Sequence, residues 1–221
     1  LTSLHSHKEN TTVRSIKELH IEATTRCQLA CPACPRTYAK DKLKISDIDI
    51  NVVVKSAREF NLVYFCGDHG DAIYHPNFIE IVQQLKTNYP GIRIYLDTNG
   101  SGRKIEWWAE LSKLLDNHDK INFNIDGVES NNHVYRKNSK WQSILDALTT
   151  VKSNSKCQVF WRYIVFKHNE DTVFEAYKLS KKLKLDSFTV IESNRYDTFE
   201  FLRPTKSLND IVRELNDRSK M

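Results

Sequence analysis

The residues with the most chemistry in them lie in one short stretch, Cys27-Gln28-Leu29-Ala30-Cys31-Pro32-Ala33-Cys34, which holds three of the chain's five cysteines. Thiolate sulfur is a soft donor suited to iron–sulfur clusters, zinc or copper(I). Three thiolates on one loop can converge on one metal centre, but they fall short of the four ligands usual for an iron–sulfur cluster or a structural zinc. Either a distant residue supplies the fourth ligand, or one metal position stays open to a small molecule. Pro32 and Pro35 forbid regular helix in the loop and stiffen it, which helps hold the sulfurs.

The rest of the composition narrows the setting. An odd number of cysteines, three of them crowded together, does not read as a disulfide framework; it fits a reducing compartment, here the cytoplasm, and a metal site. No apolar stretch is long enough for a membrane span and no secretory signal is visible. Lysine and arginine exceed aspartate and glutamate by 33 to 28, a mild excess with no run of like charges, so solubility explains it better than a nucleic-acid partner.

Six strand-then-helix units must carry the loop. The first strand is expected at Ile16–Ala23, directly before the cysteines, after a polar, flexible lead-in over residues 1–15 that includes His5 and His7. Ser46 is expected to cap a helix reaching Phe60. Leu62–Cys66 reads as the second strand, and Asn77 opens a helix to Asn88. Ile92–Leu96 reads as the third strand, followed by a helix over 104–116 with Trp107 and Trp108 on its apolar side. Lys120–Ile125, Gln158–Phe166 and Ser187–Ile191 complete the strands. Helices are expected from Asn138 or Ser139 to Val151, over Asp171–Leu183, and from Ser207 to Asn216.

Alternating strands and helices imply parallel pairing through right-handed crossovers. Six units are too few for a closed eight-stranded barrel, so the expected fold is α/β: a partial (βα)6 TIM-like barrel, an open parallel six-stranded sheet with outer helices. Its site should lie at the carboxyl ends of the strands. Five of the six glycines, Gly67, Gly70, Gly100, Gly102 and Gly127, fall just after the second, third and fourth strands, on the same side as the cysteine loop. Glycine there lets the backbone turn tightly or meet a ligand closely.

Taken together, these words resemble the radical S-adenosylmethionine (radical SAM) enzyme superfamily. Thr24-Thr25-Arg26-Cys27-Gln28-Leu29 with Cys31 and Cys34 resembles its "TxxCNLxCxxC" setting, with Gln28 where Asn is common. Gly67 to Pro76 is similar to its glycine-rich segment after the second strand. Thr98-Asn99-Gly100 is similar to its "TNG", Asn124-Ile125-Asp126-Gly127 to its "SIDG", and Tyr135-Arg136 to its "YR". The match covers roughly residues 17–192 and is nearest the branch that carries SPASM or twitch extensions. It implies a division into the 1–15 lead-in, a 16–192 partial-barrel domain and a 193–221 tail. No cysteine follows Cys157, so an auxiliary-cluster extension would have to lie beyond Met221.

The resemblance implies a [4Fe-4S] cluster on Cys27, Cys31 and Cys34, with the fourth iron chelated by S-adenosylmethionine. One electron would then cleave the carbon–sulfur bond to give methionine and a 5′-deoxyadenosyl radical, which takes a hydrogen atom from a substrate. By the same resemblance, the backbone of Gly70-Asp71 meets the methionine amino group; Asp71 stands for a usual Glu and Ala72 for a usual Pro. Asn124 and Arg136 hold the methionine carboxylate, where a guanidinium fork pairs well. Asn99 belongs to the cofactor site, Asp126 contacts the ribose or caps a turn, and Val165 and Ile191 flank the adenine. The expected partners are a peptide or protein substrate and an electron donor such as flavodoxin or ferredoxin. A structural zinc module and a non-catalytic iron–sulfur electron carrier are the competing readings. The zinc module lacks a second ligand pair, and the carrier lacks a fourth cysteine at ferredoxin spacing.

Other residues read more plainly. Cys66 is expected to be a core thiol, Cys157 lies at the opposite end of the sheet, and His75-Pro76 reads as a turn. Tyr196 to Arg203 would line a substrate opening or cover the open edge of the barrel.

Overall fold

A computed structural model describes residues 17–39 and 44–220. The expected lead-in over 1–15, with His5 and His7, and the start of the first strand at Ile16 lie outside the described residues. The six strands are β1 (Glu18–Ile21), β2 (Leu62–Phe65), β3 (Arg93–Thr98), β4 (Lys120–Asn124), β5 (Gln158–Ile164) and β6 (Ser187–Ile191). They form one sheet in sequence order with every neighbouring pair parallel, and β1 and β6 are its edges. This is the open partial barrel that the alternation implies.

Successive strand residues point to opposite faces. One set, including Ile94, Leu96, Ile121, Phe123, Val159 and Trp161, is almost fully buried and joins the main core. Helices cover that face: α3 (Phe78–Asn88), α4 (Ile105–Ser112), α6 (Trp141–Asn154) and α7 (Val173–Lys182). Trp108 and Trp161 are completely buried, with Trp108 5.6 Å from Phe123 and Trp161 6.4 Å from Trp141, ring to ring. Burying a large apolar side chain contributes about 1.5–3 kcal/mol, so this stripe anchors the helices that hold the strand ends in place. Trp107–Trp108 is therefore core, as its spacing implies.

The alternate set faces the concave side and is unusually polar. His20, Tyr64, Tyr95 and Lys120 lie side by side across β1 to β4. The His20 and Tyr64 rings are 5.0 Å apart, and Lys120 Nζ sits 4.2 Å above the Tyr95 ring. One residue pair further along the strands come Asp97 and Asn122, and beyond them Asn124, Arg162 and Ile191, at the carboxyl ends.

Several elements differ from the expectation. The helix expected from Ser46 starts later, as α2 (Ile50–Ser56), capped by Asp49, whose carboxylate accepts from Asn51 N at 2.8 Å. Ser46 is instead spent on pairing: its backbone exchanges hydrogen bonds with Thr25, and Thr24 bridges Asp47. The loop expected to be free of helix contains one turn, α1 (Pro35–Tyr38), because proline is tolerated at the first helical position. A short helix, α5 (Asn132–Tyr135), precedes α6, and Asn138 at φ 70° breaks the path between them, so α6 starts at Trp141 rather than 138–139. β3 extends to Thr98 and β5 stops at Ile164. The helix expected from Ser207 to Asn216 is α8 (Leu208–Ser219), which runs on past Asn216 and is capped by Ser207, accepting from Asp210 N at 3.2 Å.

Candidate cofactor site

The cysteine loop follows β1 at the carboxyl end of the sheet, and its shape is held by residues far away. Arg36 donates from Nη2 to Cys27 O at 2.9 Å and from Nη1 to Leu29 O at 3.3 Å. Arg195 donates to Ala33 O at 2.6 Å, and Ala30 N donates to Lys137 O at 3.1 Å. Beneath the loop, Leu29, Cys31 and Ala33 pack with Tyr135, Phe166, Tyr196 and Leu202 in a second apolar cluster. The Tyr196 hydroxyl donates to Val165 O. The 196–203 segment thus covers the loop after β5 and braces the cysteines.

All three thiols are free and open on one cavity of about 450 Å³. Among the described residues, no three histidine, cysteine or acidic side chains converge on a single-ion site. Three cysteines on the cavity, with no fourth beside them, leave one metal position open. Burial, then the Asp71 carboxylate, pushes the Cys27 thiol up to about 12, and burial raises Cys31 as well. Neutral thiols must lose protons to bind metal, so ligation releases protons.

The same cavity is lined by Gly70, Asp71, Asn99, Asn124, Arg136 and Ile191. Gly70 lies where the loop after β2 meets the entry to the cysteine loop. A Cβ there would fall 1.9 Å from Thr24 O, so only glycine fits. Asp71 N donates to Arg26 O at 2.8 Å, which ties the two loops together. The Asp71 carboxylate is buried and accepts from Thr98 Oγ1 at 3.1 Å, Asn99 N at 2.8 Å and Asn99 Nδ2. Burial still lifts it to about 6, against the pull of those donors. Its side chain is therefore a strut between β2 and β3 loops.

Arg136, largely buried, donates from Nε to Asp126 Oδ2 at 2.6 Å. Burial opposes its charge, but the Asp126 carboxylate outweighs that and keeps it protonated. Asp126 is fully buried and not on the cavity wall; its other oxygen accepts from Ile164 N at 2.9 Å. Val165 is also away from the cavity, with its side chain in the main core. Ile164, next to it and alternate in direction, lines the cavity instead, opposite Ile191 in the sheet register.

Asp97 and Arg162, two residues that no sequence motif marked, also line the cavity and pair at 2.6 Å, with Asn122 donating to Asp97 at 2.6 Å. Charged residues at inward-pointing strand positions were the available signal. Glu192 to Arg195 also line the cavity, directly after β6. Cys66 and Cys157 do not line it; Cys157 is buried at the start of β5. His75 is a turn residue, with ring nitrogens 2.9 Å from Ile48 O and 3.1 Å from Asn77 N.

Comparison with known proteins gives a consistent result. A sequence profile of the radical SAM superfamily matches residues 21–180. The chain is 30% identical over 103 residues to the tungsten-containing aldehyde ferredoxin oxidoreductase cofactor-modifying protein of Pyrococcus furiosus, covering 45% of this chain and 28% of that protein. Its fold is similar to SuiB of Streptococcus suis bound to S-adenosylmethionine, with TM-score 0.71 and 15% identity over 93% of this chain and 47% of SuiB. The likeness to SuiB bound to its precursor peptide SuiA has TM-score 0.69 and 14% identity, covering 93% and 45%. The chain therefore spans less than half the length of these relatives. No helix among the described residues is long and apolar enough to cross a membrane. With the profile matching most of the chain and the cysteine loop at the head of an open six-stranded barrel, this chain belongs to the radical SAM superfamily, enzymes that use a [4Fe-4S] cluster and S-adenosylmethionine.

Proposed function

We propose that this chain binds a [4Fe-4S] cluster on Cys27, Cys31 and Cys34, cleaves S-adenosylmethionine reductively, and takes a hydrogen atom from a peptide or protein substrate. The observation that carries this reading is that three free thiols share one cavity with Arg136, Asn124 and the Gly70 backbone. When bound, the cluster and nucleotide supply one-electron cleavage of a carbon–sulfur bond and a carbon radical able to abstract hydrogen.

The chain's own residues bind, orient and shield. Arg136 offers its remaining donors to the methionine carboxylate, and Asp126 aims it by taking Nε. Asn124 adds a hydrogen bond on the same side. Gly70-Asp71 presents backbone to the methionine amine, while the Asp71 side chain holds that backbone in place. Ile191, with Ile164, gives the adenine an apolar wall; Val165 supports it from the core. Asp126 acts through Arg136 rather than on the ribose. Tyr196 and Leu202 seal the loop side and exclude water.

Asp97 and Arg162, paired with each other on the cavity wall, are left to face the substrate. The likeness to SuiB in its peptide-bound form favours a peptide or protein there. We read the 16–192 segment as the catalytic unit and 193–221 as its cover. Five free thiols suit the cytoplasm, and a flavodoxin or ferredoxin as electron donor.

The test is anaerobic purification and reconstitution, iron and sulfide counts, then S-adenosylmethionine with a strong reductant. About four irons per chain and formation of 5′-deoxyadenosine are expected. Zinc without iron, or a redox-active cluster that leaves the nucleotide intact, overturns the reading.

A further inference from the structure

We infer that Asn99 is a positioning residue for the cluster: its side-chain amide donates a hydrogen bond to the sulfur of Cys27 and raises the cluster's reduction potential. The inference rests on the proposed ligation by Cys27 and extends it to a residue that binds no iron.

The geometry fixes which end of the amide faces the sulfur. Asn99 Oδ1 accepts from Gln28 Nε2 at 2.9 Å and from Ser101 N at 2.9 Å. Asn99 Nδ2 donates to the buried Asp71 carboxylate. Donors at the Oδ1 end and a carboxylate at the Nδ2 end admit only one orientation of the amide. An amide nitrogen has two hydrogens. One is taken by Asp71; the other points to Cys27 Sγ, 3.7 Å from Nδ2, with Gln28 Oε1 at 3.4 Å as its alternative acceptor.

Gln28 sits beside Cys27 and is pinned in turn. Its Nε2 donates to Ser101 O at 2.8 Å, an oxygen that also accepts from Tyr74 at 2.9 Å. Asn99 itself is 5% exposed, so solvent does not compete with it. A buried donor aimed at a ligating sulfur withdraws negative charge from it and favours the reduced, more electron-rich state. The Asp71 carboxylate, bonded to the same amide, acts in the opposite sense but is held one group further from the sulfur. Asn99 therefore stands between a buried anion and the thiolate and screens one from the other.

The test is a redox titration of the reconstituted protein followed by electron paramagnetic resonance, comparing wild type with Asn99→Ala. Iron and sulfide content is expected to stay at the wild-type level. The equilibrium for reduction is expected to fall about tenfold, which for a one-electron couple is a midpoint about 59 mV more negative. A purely structural Asn99 would change stability and leave the potential in place. An Asn99→Ala protein with full iron and a wild-type midpoint overturns the inference. If Asn99→Ala does not retain its cluster, Gln28→Met decides. It removes the competing acceptor Oε1 while Ser101 N and Asp71 still hold the amide, so a raised midpoint supports the inference and an unchanged or lowered one overturns it. Wild-type protein that takes up no iron defeats the functional reading and this inference together. Wild-type protein that cleaves the nucleotide, with both variants at the wild-type midpoint, defeats this inference alone.

Discussion

Arg136 reaches the cofactor cavity with its Nε committed to Asp126 Oδ2 at 2.6 Å, while Asp126 itself is fully buried behind it. The carboxylate sets the direction of the guanidinium, and the guanidinium faces the ligand. Asp126→Asn removes the charge that holds Arg136 and is expected to weaken S-adenosylmethionine binding by about tenfold to a hundredfold, or about 1.4–2.8 kcal/mol. Iron content should not change, since Asp126 itself makes no hydrogen bond to a cysteine. Calorimetry of nucleotide binding to the reconstituted variant, alongside iron analysis, reads both. Unchanged affinity would make Asp126 a fold element only.

The five cysteines separate into two groups by position. Cys27→Ala, Cys31→Ala and Cys34→Ala are each expected to lose most of the bound iron and all 5′-deoxyadenosine formation. Cys66→Ala and Cys157→Ala remove thiols away from the cavity and should keep wild-type iron. Cys157→Ala deletes a buried sulfur and should cost about 1 kcal/mol of stability. Iron and sulfide analysis of the five proteins in parallel checks the division.

The buried Asp71 predicts a particular pH dependence. Its carboxyl rises in the folded chain from 3.8 to about 6. Between those values the native state holds a proton that the unfolded state has released. Stability due to this group is therefore full below about pH 4 and is lost as pH rises through 6. Asp71→Asn has no such proton. The difference in stability, variant minus wild type, is expected to grow as pH rises from 4 to 6, by on the order of 3 kcal/mol. Urea denaturation at several pH values measures it, and a flat difference contradicts the assignment.

How much of this could be read without the fold depends on the range of each interaction. The six strands and the cysteine loop are local patterns, and the strand-end glycines mark the site face from sequence alone. Asp97 with Arg162, and Ala33 with Arg195, pair across 65 and 162 residues. Nothing near either partner in the chain announces the other. Ser46 looked like a helix cap because its type fits one; the tertiary pairing of Thr24 and Thr25 with residues 44–47 took it instead. Val165 and Ile164 show the limit set by strand period: placing the wall one residue off moves the side chain to the opposite face of the sheet. Asp126 carries the right chemistry for a ligand contact, but only the fold shows that Arg136 and Ile164 N already consume its two oxygens.

Two glycines should respond differently to the same added methyl group. At Gly70 the new Cβ would meet Thr24 O at 1.9 Å and the Thr25 carbonyl carbon at 3.0 Å, which is backbone and cannot rotate away. Relief requires the loop after β2 to move off the entry to the cysteine loop, breaking the bond from Asp71 N to Arg26 O. Gly70→Ala is expected to cost about 1–3 kcal/mol from overpacking and to lower cluster content as well. At Gly91 nothing lies within 4 Å, but the backbone sits at φ +86°. Gly91→Ala should therefore cost about 1–2 kcal/mol through backbone strain alone, with iron content unchanged, because Gly91 precedes β3 at the end of the sheet away from the thiols. Thermal melts give comparable losses for the two variants, and iron analysis separates them. Full cluster content in Gly70→Ala would mean that the two loops are not coupled as the contact between Gly70 and Thr24 requires.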